Sequence, residues 1–118
     1  MPTSLSMQSL SPEQLQQKAV QAAALLRALA NPGRLALLCQ MVEGERCVSE
    51  FEQDTGIVQP TLSQQLGVLR REGLVQTRRE GTRIYYRLED PAVMAVLSAL
   101  HGIFCGRAQA RPGRRRTA

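Results

Sequence analysis

Apolar residues recur at helical spacing in the first part of this chain, and each stretch begins with a helix-start signal. Ser11-Pro12-Glu13-Gln14 combines an N-cap, a proline at the first helical position and a capping-box glutamine, and it predicts a helix that runs to about Leu29. Asn31-Pro32 repeats the cap and the proline. A second, more fully apolar helix is therefore predicted from Arg34 to Val42, ending near Gly44.

Two shorter helical patterns follow at close spacing. Ser49-Glu50-Phe51-Glu52 resembles a capping box and predicts a third helix that stops at Gly56. Pro60 opens a fourth helix, which ends at Gly73 and has an apolar inner face. That face consists of Leu62, Leu66 and Leu69. Two short helices joined by a link of about three residues form the outline of a helix-turn-helix.

The period then changes from helical to alternating. Residues 74–79 and 82–88 alternate on either side of Glu80-Gly81, which predicts a β-hairpin. Asp90-Pro91 caps a last helix that ends at Cys105, with the apolar stripe Val93, Val96, Leu97, Leu100 and Phe104. The predicted fold class is mainly α with a β-hairpin wing, a winged helix-turn-helix over residues 11–105. Residues 1–10 are predicted as a flexible arm and residues 106–118 as a basic disordered tail.

Composition fits one compact domain. The chain has 118 residues, of which 43% are hydrophobic and 21% are charged. No apolar run approaches the ~18 residues of a membrane span, and the N-terminus lacks the basic and apolar regions of a secretory signal. We therefore predict a cytoplasmic protein that does not associate with membranes.

Positive charge is concentrated in two places. Five arginines and no acid lie in residues 106–118, which accounts for the whole net charge of +5. Within the neutral remainder, residues 70–87 contain six arginines and two glutamates, whereas residues 43–54 contain five acids and one arginine. A basic segment beside an acidic one indicates an anionic partner on one side of the molecule.

The outer face of the fourth helix is polar without being acidic. It presents Gln59, Thr61, Ser63, Gln64 and Gly67, and no acid appears before Glu72. Short hydroxyls and amides donate and accept hydrogen bonds, so this face suits base edges and phosphates better than an ordinary solvated face does. The wing arginines Arg78, Arg79 and Arg83 are predicted to contact the DNA backbone or minor groove. The alternative is that they form the polar side of a half-exposed hairpin.

An enzyme is poorly supported. The chain has one histidine, His101, and no clustered carboxylates from which to build an acid/base pair. We predict no catalytic activity and no cofactor. A winged-helix module that binds protein instead of DNA remains an alternative from another functional class.

Three runs of sequence carry a resemblance to a known family. They are Leu-Arg-Ala-Leu-Ala-Asn-Pro-Gly-Arg-Leu (26–35), Leu-Ser-Gln-Gln-Leu-Gly-Val-Leu-Arg-Arg-Glu-Gly-Leu-Val (62–75) and Arg-Arg-Glu-Gly-Thr-Arg-Ile-Tyr-Tyr-Arg-Leu (78–88). Together they resemble the ArsR/SmtB family of bacterial repressors over about residues 15–105. The resemblance implies a homodimer that binds an imperfectly palindromic operator and is released by an inducer, with the first and last helices at the dimer interface. The apolar residues expected there are Leu15, Leu25, Val93, Leu97 and Leu100.

The resemblance also indicates where to look for a sensing site. Metal sensors of the family carry a Cys-Val-Cys element at the third helix, but this chain has Cys47-Val48-Ser49, and its last helix offers His101 with little beside it. We predict no metal site. A metal-responsive repressor with a residual site at Cys47 and groups of the other subunit, and an unregulated antagonist of another DNA-binding protein, stay open as alternatives.

Cys39 and Cys105 match the two cysteines of the BigR/SqrR-like branch of the family. That branch senses reactive sulfur species with a dithiol, which implies the same role here, with Cys47 as a bystander. We predict Cys105 as the exposed attacking thiol and Cys39 as the more buried partner. The alternative is that both cysteines are small buried residues filling gaps in the core.

Overall fold

The computed structural model describes residues 9–106. Along this range the elements are α1 (Pro12–Leu29), α2 (Pro32–Gln40), β1 (Arg46–Cys47), α3 (Val48–Thr55), α4 (Thr61–Arg71), β2 (Val75–Glu80), β3 (Arg83–Leu88) and α5 (Pro91–His101), with a π-helical turn (Gly102–Gly106) after α5. The winged helix-turn-helix predicted from the sequence is confirmed. The predicted arm, apart from its last two residues, and the tail beyond Gly106 lie outside the described residues and stay predictions.

Three helices begin at the predicted caps. The Ser11 hydroxyl accepts a hydrogen bond from the Gln14 backbone N–H at 3.1 Å, while the Gln14 side chain accepts one from the Ser11 N–H at 2.9 Å. The Asn31 side chain accepts from the backbone N–H of Arg34, and that of Asp90 accepts from Ala92. Each cap satisfies a donor that the first helical turn leaves unpaired.

The start of α3 differs from the prediction. The N-cap is Cys47 and not Ser49, because the Glu50 carboxylate accepts a hydrogen bond from the Cys47 backbone N–H at 2.9 Å. This hydrogen bond lowers the pKa of Glu50. Ser49 consequently lies inside the first turn. The strand β1, which precedes α3, was not predicted because two residues are too short to show alternation.

Two helix ends also differ. The α2 helix ends at Gln40, short of the predicted Val42, because the next hydrogen bonds tighten to i→i−3 spacing, from Met41 N–H to the Leu38 carbonyl and from Val42 N–H to the Cys39 carbonyl. The α5 helix ends at His101, and the chain reaches Cys105 through the π-helical turn.

The three strands form one antiparallel sheet in the order β1-β3-β2. The hairpin pairs Val75 with Leu88 at its base and Glu80 with Arg83 at its tip. Gly81 turns the chain there with a φ of +64°, a left-handed conformation that favours glycine. The hairpin therefore projects as the predicted wing.

The core is apolar and lies between the helices and the base of the sheet. Its fully buried side chains include Phe51, whose ring packs edge to face on Tyr86 with centroids 6.0 Å apart, and the predicted leucines of α4. Val93 and Leu97 of α5 belong to this core, with exposures of 0% and 2%. Their predicted place at the dimer interface is wrong, because their side chains already pack inside their own chain.

Arg34 holds the corner between α1 and α2. Its guanidinium donates to the backbone carbonyl of Ala28 at 2.6 Å, to that of Arg27 at 3.1 Å, and to the Gln65 side chain of α4 at 3.1 Å. Gln65 in turn donates to Asn31 at 2.9 Å. This network caps the end of α1 and fixes α4 relative to both helices.

No single helix in the described part of the chain is long and apolar enough to cross a membrane. The α1 and α2 helices reach that length and composition only as a pair, and they are bent by 89° at the break between them.

Candidate nucleic-acid interface and thiol pair

The outer face of α4 is exposed and polar, as predicted. Ser63 donates from both its backbone N–H and its hydroxyl to the Gln59 side-chain oxygen, at 3.0 and 2.7 Å. Pro60, at the cap position, makes no side-chain cap hydrogen bond, so Gln59 satisfies a donor at the start of α4. Its amide oxygen is occupied by Ser63, which leaves its amide nitrogen to donate to a ligand.

Thr61 and Gln64 are exposed on the same face. Neither side chain makes a hydrogen bond within residues 9–106, so their polar groups are available to a ligand. Gly67 is half-buried, and a Cβ added there would stand 3.3 Å from the Arg71 guanidinium. The available donors and acceptors thus lie in the first two turns of α4.

Arg78 differs from the other wing arginines because carboxylates hold it. Its guanidinium lies 2.8 Å from Glu45 and 3.2 Å from Glu80, and it stacks over the Tyr85 ring at 4.6 Å. The hydrogen bond from Arg78 lowers the pKa of Glu45. Glu45 is far away in sequence, so the hairpin pattern alone gave no sign of this pairing.

Arg79 and Arg83 keep their positive charge available. Both are exposed, and neither forms an ion pair with a carboxylate in the described range. The hydrogen bond with Tyr85 raises the pKa of Arg83. The wing tip therefore presents two cations that suit phosphate groups.

The fold brings Cys39 to the end of α5, where it lines one pocket with Ser98 and His101, and Cys105 lies in the turn that follows His101. Both are exposed, Cys39 on α2 and Cys105 on the π-helical turn. Partial burial, followed by the negative charge of Cys105, raises the pKa of the Cys39 thiol. The prediction that Cys39 is the more buried thiol stays a prediction, because both cysteines are exposed. The alternative that both fill gaps in the core is also wrong.

Cys47 has a different environment from the other two thiols. It is buried, caps α3 and has its Sγ 3.3 Å from the Ser49 hydroxyl. Across residues 9–106, no three or more His, Cys, Asp or Glu side chains lie together as a metal-ligating group.

A second exposed surface is apolar. Large side chains stand out into solvent on α1 and in the π-helical turn: Leu15 (44%), Val20 (67%), Leu26 (57%), Ile103 (57%) and Phe104 (71%). Of the predicted interface residues, Leu15 is exposed here, and Leu25 and Leu100 are half-buried. Val20, Leu26, Ile103 and Phe104 were not predicted as interface residues. The signal for them was an excess of apolar residues beyond the stripe that the core requires.

Comparison with known proteins agrees with this architecture. The model for "Bacterial regulatory protein, arsR family" matches residues 31–77. The biofilm growth-associated repressor of Xylella fastidiosa (strain Temecula1) is 50% identical over 93 residues, covering 79% of this chain and 82% of that protein. The transcriptional activator HlyU of Vibrio cholerae is 37% identical over 93 residues, covering 79% and 86% of the two chains.

A solved structure gives the same relation. The crystal structure of the transcriptional repressor BigR from Xylella fastidiosa superimposes with a TM-score of 0.75 at 49% identity, covering 81% of this chain and 98% of that one. Sequence and fold therefore agree over nearly the whole length of the relative. This chain belongs to the arsR family of bacterial regulatory proteins and fits its BigR-like branch.

Proposed function

We propose that this protein is a homodimeric transcriptional repressor that leaves its operator DNA when Cys39 and Cys105 become bridged through sulfur. The inducer is a reactive sulfur species, a persulfide or polysulfide, or another oxidant. One observation carries the proposal: two thiols from separate elements are exposed at the end of α5, Cys39 beside Ser98 and His101, and Cys105 in the turn that follows His101. The repressor acts in the cytoplasm, where a reducing environment keeps both thiols reduced until the inducer is present.

Operator binding is assigned to α4 and the wing. Thr61, Gln64 and Ser63, together with the amide nitrogen of Gln59, lie on one face and reach base edges in the major groove. Arg79 and Arg83 contact phosphates, and Arg78 supports the wing through Glu45. A twofold dimer presents two such helices about one turn of DNA apart, so the operator is an imperfect palindrome.

The dimer interface is assigned to α1 and the end of the last helix. The exposed apolar side chains Leu15, Val20, Leu26, Ile103 and Phe104 form the surface that a partner subunit covers. Leu25 and Leu100, which are half-buried, border it. Cys105 directly follows Phe104 in the chain, so a bridge between the thiols acts next to this surface.

The sulfur chemistry balances with an organic persulfide, RSSH, as the only reactant. The Cys105 thiolate attacks the terminal sulfur of RSSH, and RS⁻ leaves with the electron pair of the broken S–S bond. The Cys39 thiolate then attacks Sγ of the Cys105 persulfide and expels HS⁻, which leaves a disulfide, RSH and hydrogen sulfide. Each further sulfur in a longer bridge consumes one more RSSH and releases one more RSH.

Cys105 is assigned as the first attacker. The raised pKa of Cys39 reduces the fraction of its thiolate at neutral pH, and the thiolate is the attacking form.

The bridge itself has a length limit. A direct disulfide requires Cα atoms within about 7 Å, while sulfur atoms added to the bridge relax that limit. Either bridge ties α2 to the end of the last helix. It favours a dimer geometry in which the two α4 helices no longer match the operator.

Single-cysteine variants test this proposal by operator-binding anisotropy before and after treatment with a persulfide. Cys39→Ser and Cys105→Ser are expected to bind operator normally and to stay bound under persulfide. Cys47→Ser is the matched control, and it should be released like wild type. Loss of the response in Cys47→Ser alone would contradict the dithiol assignment.

Intact-mass measurement after exposure to persulfide, diamide or zinc separates the alternatives. After persulfide or diamide we expect a form in which Cys39 and Cys105 are protected from alkylation. Its mass should be lower by two hydrogens for a disulfide, or higher by whole sulfur atoms for a longer bridge. Release of wild-type protein from DNA by zinc, with no release by persulfide, would replace this mechanism with that of a metal-responsive repressor.

A further inference from the structure

An open pocket of about 440 Å³ lies between α2 and α5, directly beside the thiol of Cys39. Its lining includes Cys39, Gln40, Arg46, Leu97, Ser98 and His101. The pocket combines one apolar wall with several polar side chains. A space of this size accommodates a small organic molecule next to the thiol.

Arg46 is the unusual residue of this pocket. Its Nε is buried and has no hydrogen-bond partner among the described residues, and its Nη1 makes a long 3.4 Å hydrogen bond to the Glu45 carbonyl. It forms no ion pair with any carboxylate among residues 9–106. Arg46 lines the open pocket and has no carboxylate partner in the described range, so its outer guanidinium N–H groups suit a ligand that accepts hydrogen bonds.

The other polar groups favour an oxygen-rich anion. Gln40, Ser98 and His101 each offer a hydrogen-bond donor, and a guanidinium binds a carboxylate through two parallel hydrogen bonds. Glu43 is the acid that lines the pocket. It is exposed, so water and salt screen its charge, whereas Arg46 is half-buried and its charge is screened less.

We infer that this pocket binds the carboxylate of a small organic persulfide, with Arg46 as the residue that holds it and positions the donor beside Cys39 and next to the turn that carries Cys105. The inference rests on the proposed function and names the class of inducer. Carboxylate-bearing persulfides, such as those of amino-acid thiols, then react faster than neutral persulfides of the same size. Arg46 is a positioning residue, because it holds the donor without touching the reacting sulfur atoms.

Two donors with the same sulfur chemistry test this inference: N-acetylcysteine persulfide, which carries a carboxylate, and its methyl ester, which does not. The bridging rate of reduced protein is measured by quenching with an alkylating agent and recording the intact mass. Wild type is expected to react with the acid about three- to tenfold faster than with the ester, the range for one charged contact in a partly exposed site.

Arg46→Gln is expected to lose this preference while its rate with the ester stays unchanged. Arg46→Lys keeps the positive charge but cannot make two parallel hydrogen bonds to a carboxylate, so it should retain part of the preference for the acid. Arg70→Gln removes one exposed arginine outside the pocket and should keep the full preference, which controls for net charge. Operator affinity of the reduced variants and their melting temperatures show whether each is folded.

Equal rates for the two donors in wild type would overturn the inference, as would an undiminished preference in Arg46→Gln. Both outcomes leave the dithiol mechanism intact, because bridging still occurs. If neither donor bridges the thiols of wild type or releases it from DNA, the proposed function itself fails.

Discussion

The helices α4 and α5 have the same length of 11 residues, but they present different outer faces. Each buries an apolar stripe in the common core, Leu62, Leu66 and Leu69 for α4, and Val93 and Leu97 for α5. On α4 the remaining positions, apart from Gly67 and Val68, are hydroxyls, amides and, at its end, arginines. On α5 they are mostly alanine and other apolar residues, and the π-helical turn adds exposed Ile103 and Phe104.

This difference separates two kinds of surface on one small domain. A polar face without acids is stable in water and suits DNA, while apolar side chains beyond what the core requires mark a protein interface. The α2 helix connects the two. It carries Cys39 beside the end of the last helix and packs on α4, where Arg34 bonds to Gln65.

The strongest test of this contrast is to place a charge on the apolar surface. Phe104→Asp is expected to yield monomers in sedimentation and to lower operator affinity about 100-fold, because each subunit then binds its half-site alone. Phe104 is 71% exposed, so the single chain should stay folded. An intact dimer for this variant would place the interface elsewhere.

A control for this experiment is Gln53→Asp, which adds the same charge on exposed α3 and should remain dimeric. Leu97→Arg is unsuitable, because Leu97 is 2% exposed and the variant should unfold instead of dissociating.

The next prediction concerns Arg34 of α2, the helix that connects the two surfaces. Arg34→Met removes three hydrogen bonds from a charged group to Ala28, Arg27 and Gln65, and should lower the free energy of unfolding by about 3 kcal/mol. Urea denaturation measures this change. Arg70→Met, at an exposed position, is the control and should differ little from wild type. Equal stability of the two variants would show that the network contributes nothing.

A smaller effect tests the polar face of α4. Gln64→Ala should weaken operator binding by about 1 to 3 kcal/mol if it contacts a base, without changing stability, because the side chain is exposed and makes no hydrogen bond in the described part of the chain. Gln53→Ala, exposed on α3, is the matched control. Unchanged operator affinity in folded Gln64→Ala dimers would remove Gln64 from the interface.

The smallest effect distinguishes the arginines of the wing. Arg79→Ala and Arg83→Ala should each weaken binding to all sequences and reduce the salt slope of log K by about 1. Arg78→Ala should change the slope less, because Glu45 and Glu80 already neutralise its guanidinium. A larger slope change for Arg78→Ala than for Arg79→Ala would show that Arg78 exchanges these carboxylates for phosphate on DNA.

The sequence by itself determined the order of elements and most of their ends. The Ser11, Asn31 and Asp90 caps, the leucine stripe of α4 and the hairpin turn at Gly81 all depend on residues within a few positions of one another. Such local signals can be recognised in the sequence because they do not depend on tertiary contacts. The resemblance to the family was readable for the same reason, since its motifs lie in continuous runs.

Only the tertiary structure decided which side chains are exposed and unpaired, and so able to contact a partner or a reactant. It buried Val93 and Leu97, exposed Cys39 beside Cys105, and joined Arg78 to Glu45. A helical stripe shows that residues share a face, but it does not show whether the core of the same chain already covers that face. Burial and ion pairing depend on groups far apart in sequence, which only the packing of the helices and the sheet brings into contact.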